Sequence, residues 1–117
     1  MALLQDTQAM GTANNRVDNV LQGKAIQNIP FEAEAYALSV AAVADQAGVS
    51  IELYAGQRRL IEQAKVTKAA EGVYPQVPEN LLIADEVVLP GEVLVMSATN
   101  GSAANANLNY RVSVDPV

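Results

Sequence analysis

Apolar and polar residues alternate along most of this chain, and the alternation predicts strands. Leu108, Tyr110, Val112 and Val114 fall on one face of the run Asn107–Val114, with Asn109, Arg111 and Ser113 on the other. Period two is the mark of a half-buried antiparallel strand. Glu92–Ala98 predicts a second strand, joined to the first by the small, polar link Thr99–Asn107, which reads as an exposed loop and the part of this pair most apt to touch a partner. Tyr36, Leu38, Val40, Ala42 and Ala44 share a face, and Ala37, Ser39, Ala41 and Val43 lie opposite. The many alanines would also suit a helix. The alternation of the larger residues favours a strand, because Val49, Ile51 and Leu53 repeat it after the turn Asp45–Gly48. These two segments, Tyr36–Ala44 and Val49–Ala55, are expected to pair as a hairpin.

Ala55–Gln57 turns the chain again. Leu60–Thr67 alternates less cleanly, as an edge or bulged strand does, with a short helix over Arg58–Ala70 as the competitor. Tyr74-Pro75 and Val77-Pro78 hold the backbone extended, since a residue before proline avoids the helical region. This stretch is expected to carry the chain from one sheet to the other. Leu81–Ile83 and Glu86–Leu89 supply one strand or two short ones, ending at the turn dipeptide Pro90-Gly91. Ile26–Pro30 predicts an edge strand, because proline lacks the N–H a central strand needs. Six to eight strands near ten residues apart, with no long helix, describe an all-β antiparallel β-sandwich.

Residues 1–24 lack a strong strand pattern. Val17, Val20 and Leu21 have helical spacing, which predicts a short helix over Asn15–Leu21, and Gly23 would end such a helix. The segment is expected to be either a loose tail or an extended N-terminal arm preceding a β-sandwich domain at 25–117. As an arm it would dock on a neighbouring subunit through Leu3, Leu4, Met10, Val17, Val20 and Leu21.

The chain has 117 residues, enough for one domain with a modest core. Aromatics are only 4 %, so Val, Leu, Ile and Ala must build that core. The net charge is −6, and residues 31–117 hold all of it, with five bases against eleven acids. Such a body repels phosphate and disfavours nucleic acid as a partner. No run approaches the length of a membrane helix. The opening Met1–Asp6 lacks the basic and long apolar regions of a secretory signal.

The chain contains neither His nor Cys, which removes nucleophilic triads, disulfides and the common zinc sites. Asp85-Glu86 and Glu32/Glu34 are the remaining acid/base candidates, but a chain without Trp offers little platform for a sugar. Glu79, Asn80 and Asp85 do not have the spacing of a calcium loop, and no glycine motif for a nucleotide cofactor is present. No catalytic residue, metal or cofactor is therefore expected, and the chain is not expected to be an enzyme. Arg58-Arg59 is the only basic pair and a candidate contact to an acidic neighbour.

The runs Val49–Gly56, Val73–Glu79 and Val88–Gly101 resemble, in layout and texture, the small jelly-roll virion proteins of bacteriophages, among them capsid cement and decoration proteins and minor capsid proteins. The resemblance covers about residues 25–115. It implies a jelly-roll-like sandwich that forms a homo-oligomer, a trimer by preference. Such a protein would bind the major capsid protein on the virion surface and have no active site. The alternative is a carbohydrate- or receptor-binding module using Tyr36, Tyr54, Tyr74 and Tyr110, although Tyr36 and Tyr110 are placed facing inward.

Overall fold

The computed structural model describes residues 2–11, 15–76 and 79–117. Among them are nine strands: β1 (Ala2–Gly11), β2 (Arg16–Val17), β3 (Tyr36–Ala44), β4 (Val49–Ala55), β5 (Arg58–Lys65), β6 (Thr67–Lys68), β7 (Leu81–Val88), β8 (Leu94–Asn100) and β9 (Ala106–Pro116). They form two sheets. The first has the order β1-β9-β3, with β7 and the short β6 both on the far side of β3; the second is β2-β8-β4-β5.

The pairings describe one long hairpin. β4·β5 is its tip, and β3·β7, β2·β8 and β1·β9 are antiparallel rungs below it. The hairpin is rolled up until β9 meets β3 and β8 meets β4. This is jelly-roll-like connectivity, and it makes an all-β sandwich. The core is built from the inward faces of both sheets, with Leu38, Val40, Leu108 and Val112 from one and Ile51, Leu53, Leu94 and Met96 from the other, all essentially without exposure.

Rolling corrects several local expectations. Tyr36–Ala44 and Val49–Ala55 are strands, but not a hairpin: β3 and β4 lie in opposite sheets, and Asp45–Gly48 arches between them. Each strand has a fully apolar face, and an arch lets the two faces meet across the core. β8 and β9 are likewise joined by an arch. The two arches are stitched together. Asp45 Oδ1 accepts the Asn107 N–H at 2.8 Å, and the Gly101 N–H donates to the Gly48 carbonyl at 3.1 Å. The link Thr99–Asn107 is thus not simply exposed. Asn100 is fully buried, donating to the carbonyls of Gly11 and Ala104, while Ala103 to Asn105 face solvent.

The passage between sheets occurs at buried Val66, not at the two-proline stretch, which links β6 to β7 within one sheet; Val77 and Pro78 lie outside the described residues. Residues 73–76 instead run over the outer face of β9. Asn109 donates to the Val73 carbonyl at 2.7 Å there, and Asn109 is buried. β5 is an edge strand with a register shift opposite Ile51–Leu53, as its broken alternation predicts, and the competing helix over Arg58–Ala70 is not formed.

The largest correction concerns the N-terminus. Residues 2–11 form a strand of this chain's own sheet, paired with β9 from Ala2↔Val114 to Gly11↔Ala106. In place of a helix at Asn15–Leu21 the chain makes β2, then a turn in which Asn19 Oδ1 accepts from the N–H groups of Leu21 and Met96. Ile26–Pro30 is a 3-10 turn (Ala25–Gln27) and a single bridge, Asn28↔Val93, rather than an edge strand. Residues 2–11 and 15–24 therefore belong to the sandwich, giving a strand to each sheet, and the expected division of an arm at 1–24 from a domain at 25–117 does not hold.

Candidate functional site

The apolar residues expected to dock the arm on a partner fall into three groups. Met10, Val20 and Leu21 are spent in this chain's own core and are not available to a neighbour. Leu4 and Val17 are half-buried and pack against that core. Leu3 alone is substantially exposed, at 47 %. It and Leu4 line a mainly apolar cleft of about 200 Å3 with Ile26, Ile29, Pro30 and Val114.

Arg58 and Arg59 do not act as a pair, because successive strand residues point to opposite faces. Arg58 leans toward β7, donating to Glu92 Oε1 at 2.8 Å and to the Val87 carbonyl at 3.2 Å. The Arg59 guanidinium lies over the Tyr54 ring, 5.3 Å from its centroid, and donates to the Tyr54 hydroxyl at 2.7 Å. That hydroxyl, with the negative charge of Glu62 adding to it, holds the Arg59 guanidinium above its ordinary range.

Of the tyrosines considered for glycan contact, Tyr36 and Tyr110 are buried, as their inward placement predicts. A guanidinium occupies a face of Tyr54, and the Tyr74 hydroxyl shares a hydrogen bond with Thr7. Asp85 and Glu86, the acid/base candidates, are exposed neighbours on edge strand β7. Asn80 Oδ1 accepts the Gln76 N–H, which makes it a turn element. Among the described residues no three acids gather as a metal site.

The feature that sequence reasoning missed lies at one end of the sandwich, on the connection from β7 to β8. Phe31, the chain's sole phenylalanine, is 81 % exposed, with Leu89 at 51 %, Val87 at 50 % and Val93 at 40 %. The chain at Ile29 runs against this connection: the Ile29 N–H donates to the Glu92 carbonyl, and the Gly91 N–H to the Ile29 carbonyl. The Phe31 ring then lies over Gly91, whose φ is +82° and where a Cβ would stand 2.7 Å from the ring. Glu92 fixes the turn below, its Oε1 accepting both the Leu89 N–H at 2.7 Å and Arg58. The patch is an apolar surface on a turn held by hydrogen bonds and an ion pair. Its sequence signal is faint: Val87, Leu89 and Val93 flank a Pro-Gly turn, and Phe31 follows a proline.

No known family model, curated protein or solved structure matches the chain.

Proposed function

We propose that this protein is a structural part of a virion, a capsid cement or decoration protein that associates with copies of itself as a trimer and reinforces the shell by protein–protein contacts. The end patch of Phe31, Val87, Leu89 and Val93 carries this reading. Large apolar side chains exposed together, rather than scattered, mark sites of protein association. The jelly-roll-like connectivity agrees with the class of virion protein that the sequence resembles, although a fold by itself assigns no function. The carbohydrate- or receptor-binding alternative has less support, since two of its four tyrosines are buried and the other two already have partners within the chain.

Light scattering of the purified protein tests the proposal. A trimer is expected, and Phe31→Ser with Leu89→Ser should reduce it to monomer while the thermal midpoint of the isolated fold is kept. A wild-type protein that is strictly monomeric and does not bind capsids would overturn the reading.

A further inference from the structure

We infer that the outer face of the β1-β9-β3-β7 sheet holds a carboxylate-binding site centred on Arg111. The strand register assembles it. Arg111 on β9 stands between Gln5 of β1 and Ala41 of β3, and Ser113 between Leu3 and Ser39. Small side chains floor this part of the sheet and leave a depression of about 230 Å3, lined by Ser39, Ala41, Leu81, Asp85, Arg111 and Ser113.

Two features set the depression apart from ordinary sheet surface. Arg16, Lys24, Arg58 and Arg59 each pair with a carboxylate of this chain. Arg111 makes no ion pair or hydrogen bond among the described residues, although it is half-buried, unlike the exposed Lys65 and Lys68. A guanidinium carries five donors in a planar fork, and since no buried side-chain nitrogen or oxygen among the described residues lacks a partner, those of Arg111 stand open to solvent and to a ligand. The second feature is Asp85. It sits in the left-handed region at φ +54°, in the β7 bulge that faces Ser39, and its N–H donates to Ser39 Oγ at 3.0 Å. Bulges re-aim side chains at sites, and a non-glycine residue in this conformation is uncommon enough to need a cause.

The chemistry selects the ligand. A carboxylate matches the guanidinium fork with two parallel hydrogen bonds, and the Ser113 hydroxyl lines the same space. A phosphate dianion is disfavoured by the Asp85 carboxylate on the rim and by the net charge of −6. The ligand is therefore a single carboxylate, either on a free small acid or on an acidic side chain of another protein. The site is two same-face positions along β3 from Ala37, which pairs Val87, and the inference does not depend on the end patch.

The test is a titration of the isotope-labelled full chain with N-acetylglycine, which carries one carboxylate, and with a capped alanine peptide carrying one central glutamate. The glutamine version of the peptide is the control. Amide signals of Ser39, Ala41 and Ser113 should move saturably. The glutamine peptide and the Arg111→Met protein should each bind at least about tenfold more weakly, and Arg111→Lys should fall between. Asp85→Asn, which removes the repelling charge, should tighten binding by about threefold. Tighter binding of the peptide than of the free acid would assign the carboxylate to a protein partner; equal binding would assign it to a small acid. Absence of saturable shifts, equal binding of the glutamine peptide, or binding unchanged in a folded Arg111→Met protein would overturn the inference.

Discussion

Replacing Met10 by alanine tests directly whether the N-terminal segment is part of the fold. Met10 is fully buried near the end of β1, and its carbonyl accepts from Asn15 Nδ2 at 2.6 Å. A buried methionine cut to alanine typically costs about 2–5 kcal/mol, according to how far the site can collapse. β1 is an edge strand with a register shift between Ala9 and Gly11, so it can relax, and the lower part of that range, about 2–3 kcal/mol, is expected. With a urea dependence of about 1.5 kcal/mol per molar, the unfolding midpoint should fall by about 1.3–2 M. Leu3→Ala is the control. It removes a similar side chain from the outward face of the same strand, and should change stability by no more than about 0.5 kcal/mol. Equilibrium denaturation followed by circular dichroism at two protein concentrations measures both. If Met10→Ala costs less than about 0.5 kcal/mol, the segment is not docked. If the cost varies with concentration, the strand is docked on a neighbouring copy instead of its own sheet.

Two further outcomes follow from the arches and from the inner face of β9. Gly101→Ala should destabilise by about 1–3 kcal/mol in the same assay, because the added Cβ would stand 2.7 Å from the Gly48 carbonyl oxygen and the backbone must move; an unchanged midpoint would mean the arches are not in contact. Stability should also fall as pH rises past 10. Burial pushes the Tyr110 hydroxyl above its ordinary 10.0, so the unfolded chain loses this proton first, and Lys24, raised by its hydrogen bond to Asp6, acts in the same direction. Tyr110→Phe should flatten that alkaline limb in thermal scans between pH 9 and 11, and an identical slope in both proteins would refute the assignment.

What the sequence made legible was which residues face inward, and that is as much as alternation can carry. Tyr36–Ala44 and Val49–Ala55 coincide with β3 and β4. Their pairing was not legible, because an apolar face looks the same whether its partner lies beside it or across the core. β1 was hidden for a different reason. Its inward positions are Leu4, Asp6, Gln8 and Met10, so the period of two is present but half of it is polar. Asp6 is tolerated there because its side chain stays 41 % exposed at the sheet edge and Lys24 meets it at 2.8 Å, a contact that depends on the turn after β2. β2, with two residues, has no pattern to detect. At the end patch, Phe31 was invisible as a surface residue because only the path of residues 28–31 beside the β7–β8 connection leaves it over Gly91 instead of in the core. Arg111 was correctly read as outward-facing, but its lack of a partner depends on the register of three strands.

The edges of the two sheets bear on how such a protein would meet its neighbours. An open strand edge is a template for adding another strand, and each edge here is blunted. β5 exposes Arg58, Arg59 and Glu62 and breaks at Gln63, a non-glycine residue at φ +44°. β7 breaks at Asp85 in the same way, and Arg58 ties it to β5 across the gap between the sheets. β2 is two residues long. β1, the longest regular edge, points Asp6 inward at its centre, where its partner Lys24 holds the carboxyl below its ordinary range. Strand addition at any of them would meet a bulge, a charge or too little length. Assembly by side-chain surfaces faces no such obstacle, and it is the end patch that offers apolar side chains already exposed on a rigid turn. For this reason the Phe31 and Leu89 variants, rather than changes along a strand edge, are the decisive perturbations of the proposed self-association.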